Sequence, residues 1–129
     1  MILLKERILI ENNEASGAEL IAYSDFTKID IRAGTIRSVG INAKARNPAY
    51  ILKIDFGTNY GIKTSSAQIT EAYTVEDLIG RQIVAVMNFE PKRVAGVISE
   101  VLVLAIVQHG EPTVLLSPLD SVKNGSQMA

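Results

Sequence analysis

Tyr50, Leu52, Ile54 and Phe56 stand at every second position, with Lys53 and Asp55 between them. That spacing admits one local structure. A helix advances about 100° per residue and would scatter the four side chains around its axis, whereas a strand advances about 180° and puts them on one face. Residues 50–56 are therefore a half-buried strand. A lone strand leaves its backbone donors and acceptors unpaired, so the rest of the chain must supply neighbours and an apolar layer beneath them.

The neighbours can be read off the same way. Ile29, Ile31 and Ala33 alternate with Asp30 and Arg32. Gly34 breaks that phase and Ile36 falls on the opposite parity, which predicts a bulge at the glycine. Bulges let strands curl, as barrels require. Gly57–Gly61 is a turn, Ile62-Lys63-Thr64 opens a third strand, and Ser65, Ser66 and Gln68 predict a polar corner. Ile83, Ala85 and Met87 alternate with Gln82 and Asn88 as a fourth strand. Phe89 to Arg93 reads as a loop, Val101 to Val107 as a strand covered on both faces, and Thr113 to Leu116 as a last strand before Pro118.

Helix signals are few. Ser24 or Asp25 would cap a short turn through Lys28. Thr74 with Asp77 three residues later is close to a capping box, Leu78 and Ile79 give an apolar turn, and Gly80 ends it. One short helix between the third and fourth of five strands predicts an all-β, five-stranded Greek-key OB-fold barrel. A chain of 129 residues supplies one such domain. Residues 24–129 carry its strands, and residues 1–23 read as an N-terminal extension. Within that extension, Met1–Ile10 is apolar enough to pack on an interface or a sheet edge, and Glu11–Gly17 is a polar connection.

Composition excludes several kinds of chemistry. With no cysteine, disulfides, iron–sulfur clusters, thiolate zinc sites and cysteine nucleophiles are ruled out together. The lone histidine, His109, precedes Gly110 in a hairpin-loop context and fits a solvated loop better than a metal site. There is no P-loop, no Gly-x-Gly-x-x-Gly run and no nucleophile elbow. Glu76 and Asp77 suit the helix N-terminal dipole better than acid–base work. The expectation is a protein that is not an enzyme and needs no cofactor or metal. The apolar start is broken by Lys5, Glu6 and Arg7, and no run reaches the roughly 18 residues of a membrane span, so a cytoplasmic protein is expected.

The formal net charge of −1 places any nucleic-acid interface in a local patch. Lys44 and Arg46 lie in the loop between the first two strands, and Lys53 and Lys63 on the middle strands, on the parity opposite the apolar residues. Lys92 and Arg93 lie after strand four. OB folds bind oligonucleotides with such loops and strands, so the six form a candidate basic stripe. The bland alternative is ordinary solubilising charge. Ser65, Ser66 and Gln68 would either contact a backbone or satisfy the corner. Tyr50 and Phe56 share the core parity, and aromatics are only 5%, a poor supply for base stacking but adequate for recognising RNA by shape. Phe89, beside Pro91, is the candidate exposed apolar contact, for extended polypeptide or for a dimer interface.

Four ordered stretches carry a resemblance. They are Asp25–Gly34 (DFTKIDIRAG), Asn47–Gly57 (NPAYILKIDFG), Gly61–Thr70 (GIKTSSAQIT) and Leu78–Gln82 (LIGRQ). In these the chain resembles the tRNA-binding-domain family over about residues 24–129. Asn88–Leu104 (NFEPKRVAGVISEVLVL) and the ending Val122–Ser126 look most like its CsaA branch. The resemblance implies an OB-fold homodimer. It implies a chaperone linked to protein export, binding unfolded or precursor polypeptides and in contact with export machinery. It also implies a structure-specific tRNA binder as the alternative. On the first reading Phe89, Pro91, Lys92 and Arg93 hold peptide. On the second, Lys44, Arg46, Lys53, Lys63, Lys92, Arg93 and Ser99 contact RNA. Val101 and Leu102 replace the Gly-Met pair that RNA-binding relatives often carry after the serine, which favours the CsaA reading.

Overall fold

The computed structural model describes residues 18–129. Most of the expected N-terminal extension, including the packing expected of Met1–Ile10, lies outside the described residues. The first element is a short helix, α1 (Tyr23–Thr27). It starts earlier than the Ser24 or Asp25 cap implied. Ala22 holds the N-cap position, and Asp25 reaches back from the first turn to accept the Ala22 N–H at 3.1 Å.

Four long strands and one very short one build the barrel: β1 (Ile31–Ile41), β2 (Tyr50–Asp55), β3 (Ile62–Ala67), β4 (Gln82–Val86) and β7 (Leu102–Val103). They pair antiparallel in the order β3-β2-β1-β4-β7. The step from β1 to β4 is the Greek-key crossover. Helix α2 (Val75–Leu78) lies between β3 and β4. The open edge of β3 is nearly closed by the segment leading into β7. Glu100 N–H donates to the Thr64 carbonyl at 2.8 Å, Thr64 N–H to Glu100 Oε1 at 3.0 Å, and Ser66 N–H to Ser99 Oγ at 3.1 Å. This is the expected OB-like all-β barrel.

Two hairpins decorate it: β5 (Lys92–Val94) with β6 (Val97–Ser99), and β8 (Ala105–Gln108) with β9 (Glu111–Leu115). Residues 92–93 are thus the start of a strand and not the end of a loop. The expected strand over Val101–Val107 is broken. Leu104 N–H donates to the Val84 carbonyl at 2.9 Å, ending the barrel pairing, and the chain leaves for the β8–β9 hairpin, where Ile106 is exposed. An apolar run marks burial in some partner, and it does not mark where pairing stops.

The core contains Ile36, Leu52, Ile54, Phe56, Ile69, Leu78, Ile83, Ala85 and Val101. The parity switch in β1 is real, since Ala33, Gly34 and Ile36 are all buried. Its cause is packing and not a bulge at the glycine. A Cβ on Gly34 would stand 2.6 Å from Phe56 Cδ1 and 2.8 Å from Ile54 Cγ2. The register irregularity falls later, between Ile36 and Ser38. Ile29 lies before β1 and is partly exposed. Ser65 and Ser66 are buried within β3, in place of the expected corner.

Helix α2 is capped from both directions. Thr74 Oγ1 accepts the Asp77 N–H at 3.2 Å, and Asp77 Oδ2 accepts the Thr74 N–H at 3.0 Å. The backbone N–H of Thr74, then its side chain, hold the Asp77 carboxyl below the usual carboxylate range. Asp55 is lowered by the Gly57 N–H and then by Arg37. A carboxyl that ionises more readily folded than unfolded contributes stability at neutral pH, and loses it as pH falls through the carboxylate range. Acidification from about pH 5 to 3 should therefore lower the thermal midpoint, and less steeply in Asp77→Asn. Equal slopes for the two proteins in a pH series would remove Asp77 from the account.

A candidate nucleic-acid interface

The loop from Asn42 to Ala49 joins β1 to β2 and has a fixed neck. Asn42 N–H donates to the Ala49 carbonyl at 3.0 Å, Ala45 N–H to the Asn42 carbonyl at 3.2 Å, and Lys44 N–H to Asn42 Oδ1 at 3.1 Å. Asn42 is buried by these contacts, while Lys44 and Arg46 are exposed.

The second loop element is the β5–β6 hairpin. Val94 pairs with Val97, so only Ala95 and Gly96 form the turn. Both have positive φ, +47° and +83°, as a type I′ turn requires. A Cβ at Gly96 would lie 3.4 Å from Lys44 Cδ and 3.8 Å from its Nζ. The hairpin tip therefore packs against the first loop, with room for a Cβ at position 96 to meet Lys44 at ordinary van der Waals distance. Lys92 and Arg93 are exposed on β5. The fold thus sets the loop that carries Lys44 and Arg46 against the tip of the hairpin whose first strand carries Lys92 and Arg93, some fifty residues away in sequence.

Among the described residues, Lys44, Arg46, Lys92 and Arg93 have no acidic partner within salt-bridge distance. Arg32, Arg37 and Lys63 pair with Asp30, Asp55 and Glu100 at 2.8, 3.1 and 3.9 Å. An unpaired surface cation keeps mobile counterions that a phosphate can displace, whereas an internally paired one must first give up its partner. These four cations, like Lys53, Arg81 and Lys123, therefore keep counterions that a polyanion can displace.

The other expected RNA contacts fall elsewhere. Lys53 is exposed, and its Nζ donates to Thr64 Oγ1 at 2.7 Å. Lys63 does not share its face. Lys53 stands opposite Thr64 and Lys63 opposite Ile54, so the register puts the two lysines on opposite sides of the β2–β3 ribbon. Counting parity along each strand separately cannot reveal that offset. Ser99 is only 3% exposed, and its hydroxyl accepts the Ser66 N–H at the barrel seam. Its hydroxyl thus helps close the barrel.

Phe89 is 53% exposed and Pro91 is exposed beside it. Asn88 anchors the start of this segment by donating to the Lys28 carbonyl at 2.7 Å and accepting the Asp30 N–H at 2.9 Å. Ile98, an exposed residue the sequence reading did not single out, stands directly opposite Arg93 in the hairpin. The signal was present in Val97-Ile98-Ser99, but only the register aligns Ile98 with the cation. Ile106 and Val114 form a second exposed apolar pair across β8–β9. His109 lies in the turn of that hairpin. Among the described residues no group of three or more His, Cys, Asp or Glu side chains could hold a metal ion, and no helix is long and apolar enough to cross a membrane.

Comparison with known proteins gives the family. A family described as a putative tRNA binding domain matches residues 31–127. Chaperone CsaA of Bacillus anthracis str. Ames is 50% identical in sequence to this chain, with a TM-score of 0.81, covering 86% of this chain and all (100%) of that one. Chaperone CsaA of Picrophilus torridus is 49% identical, also at 0.81, covering 85% and 100%. Methionine–tRNA ligase of Pyrococcus horikoshii is 34% identical over 124 residues, which are 96% of this chain and 17% of the ligase. The chain therefore spans about one-sixth of the length of the ligases it matches.

Proposed function

Since the chain belongs to the tRNA-binding-domain family and is of the CsaA type, we propose that it binds folded RNA of the tRNA class without catalysing a reaction on it. The observation that carries this reading is the contact between the loop bearing Lys44 and Arg46 and the hairpin bearing Lys92 and Arg93, four exposed cations with no acidic partner among the described residues. Lys53 extends the surface along β2. The shortage of aromatic side chains fits recognition by phosphate and shape, since stacking on bases needs exposed rings. The matched segment of the methionine–tRNA ligase supports the same ligand class.

A second ligand is favoured by a separate observation. Phe89 and Pro91 are exposed just before Lys92 and Arg93, and exposed Ile98 stands opposite Arg93 in the hairpin, so apolar side chains flank the cations. Such a surface suits an extended, unfolded polypeptide, with the cations as its rim, and the likeness to chaperone CsaA supports it. In this reading the protein is a cytoplasmic chaperone for export-bound chains, working with export machinery. It acts as a homodimer that covers the Ile106–Val114 face.

Salt separates the two ligands. Binding of total tRNA should weaken steeply between 50 and 200 mM salt, by about a hundredfold if four phosphates are contacted. Binding of a reduced, unfolded model polypeptide should change little, or strengthen in sulfate. Salt-insensitive tRNA binding would overturn the RNA reading, and failure to bind any unfolded chain would overturn the chaperone reading.

A further inference from the structure

Residues 122–128 act as an extra strand along the first half of β1, where β2 does not reach. Gly125 N–H donates to the Ala33 carbonyl at 2.8 Å, Ala33 N–H to the Ser126 carbonyl at 3.0 Å, and Met128 N–H to the Ile31 carbonyl at 2.8 Å. Asn124 Oδ1 accepts Thr35 Oγ1–H at 2.8 Å and Gln82 Nε2–H at 3.1 Å. Gln82 also clasps Val122 through both of its amide atoms. The tail runs hard against the barrel. A Cβ at Gly125 would stand 2.5 Å from the Phe56 carbonyl oxygen, and one at Gly57 would stand 2.7 Å from the Asn124 carbonyl oxygen.

Asn124 is also the one asparagine in the sequence that is followed by glycine. In such a pair the following amide nitrogen, unhindered by a Cβ, can attack the side-chain carbonyl carbon. The nitrogen loses its proton to solvent base and bonds to Cγ. The Cγ–Nδ2 bond breaks and ammonia leaves, giving a succinimide. Water then opens the ring at either carbonyl, giving aspartate or isoaspartate. The folded tail withholds both reactants. The Gly125 N–H is tied to Ala33, and the Asn124 carboxamide is held by Thr35 and Gln82.

We propose that Asn124–Gly125 is a spontaneous deamidation site that the docked tail holds shut, so that detachment of the tail is recorded and then made irreversible by the reaction. Isoaspartate inserts an extra carbon into the backbone where the tail has no room beside Gly57 and Phe56. The tail then cannot re-pair. The Ile31 and Ala33 backbone groups are left as an open strand edge, which is a template for association. Arg32 also loses the Gly125 carbonyl that its Nη1 donates to at 2.8 Å.

The test is peptide mapping of the full chain held at mildly alkaline pH, native and in urea, with isoaspartate at position 124 as the readout. Native protein should convert at least about tenfold more slowly than the unfolded chain, because conversion follows the open fraction of the tail. Thr35→Val and Gln82→Ala, which each loosen the clasp on Asn124, should speed conversion in the native state. Converted protein should exchange its Ala33 amide hydrogen faster than unconverted protein. Equal rates in native buffer and urea would overturn the proposal, as would native rates unmoved by both substitutions. None of these outcomes depends on RNA or polypeptide binding.

Discussion

Phe56→Ala should destabilise the protein by about 3–5 kcal/mol, the range for removing a fully buried aromatic side chain. The ring has 0% exposure and sits in the core cluster with Leu52, Ile54 and Ile83. Part of the effect is lost transfer energy, and part is the cavity left behind. The site cannot easily collapse, because the ring's nearest floor is Gly34, which has no side chain to move in. A domain of this size is held by roughly 5–15 kcal/mol, so the variant should be close to its unfolding threshold. Urea unfolding followed by circular dichroism measures the difference. A loss under about 1 kcal/mol would mean that the barrel does not depend on this packing.

The second large effect concerns the basic surface. Reversing Lys44, Arg46, Lys92 and Arg93 to glutamate should reduce tRNA binding at 100 mM salt by about a hundredfold or more, since each phosphate contact carries its own share of counterion release. The fold should survive, because all four side chains are exposed and hold no acidic partner among the described residues. A thermal midpoint unchanged within a few degrees separates lost binding from lost structure. Reversing Lys63 alone should do far less to RNA and more to stability, because its ammonium faces Glu100 at 3.9 Å and the reversal puts two carboxylates together. If unfolded polypeptide still binds the fourfold variant, the apolar side chains of Phe89 and Ile98 work independently of the cations.

Much of the barrel was legible in the chain. The strand at Tyr50–Phe56, the box at Thr74 and Asp77 and the strand at Ile83–Ala85 depend on side chains that show their face or cap locally. The β5–β6 hairpin was not legible, because its turn uses Ala95 in a left-handed conformation that an alanine does not advertise. The break at Leu104 was hidden inside an apolar run, since hydrophobicity records burial and not partner. Likewise the candidate interface was half visible. Charge and loop position singled out Lys44, Arg46, Lys92 and Arg93 as candidates, but the contact between their two elements, Gly96 against Lys44, did not show in the sequence. The offset of Lys63 from Lys53 and the burial of Ser99 at the seam were not legible, because strand register and barrel closure are long-range facts.

The salt dependence of tRNA binding, measured side by side for the wild-type chain and the fourfold glutamate variant, tests the central claim most directly. The account predicts that the slope of log K against log salt is shallower in the variant by about 3, at 0.7–0.9 per phosphate contact. Parallel slopes of equal steepness would contradict it, because the cations that hold the RNA would then lie elsewhere on the molecule.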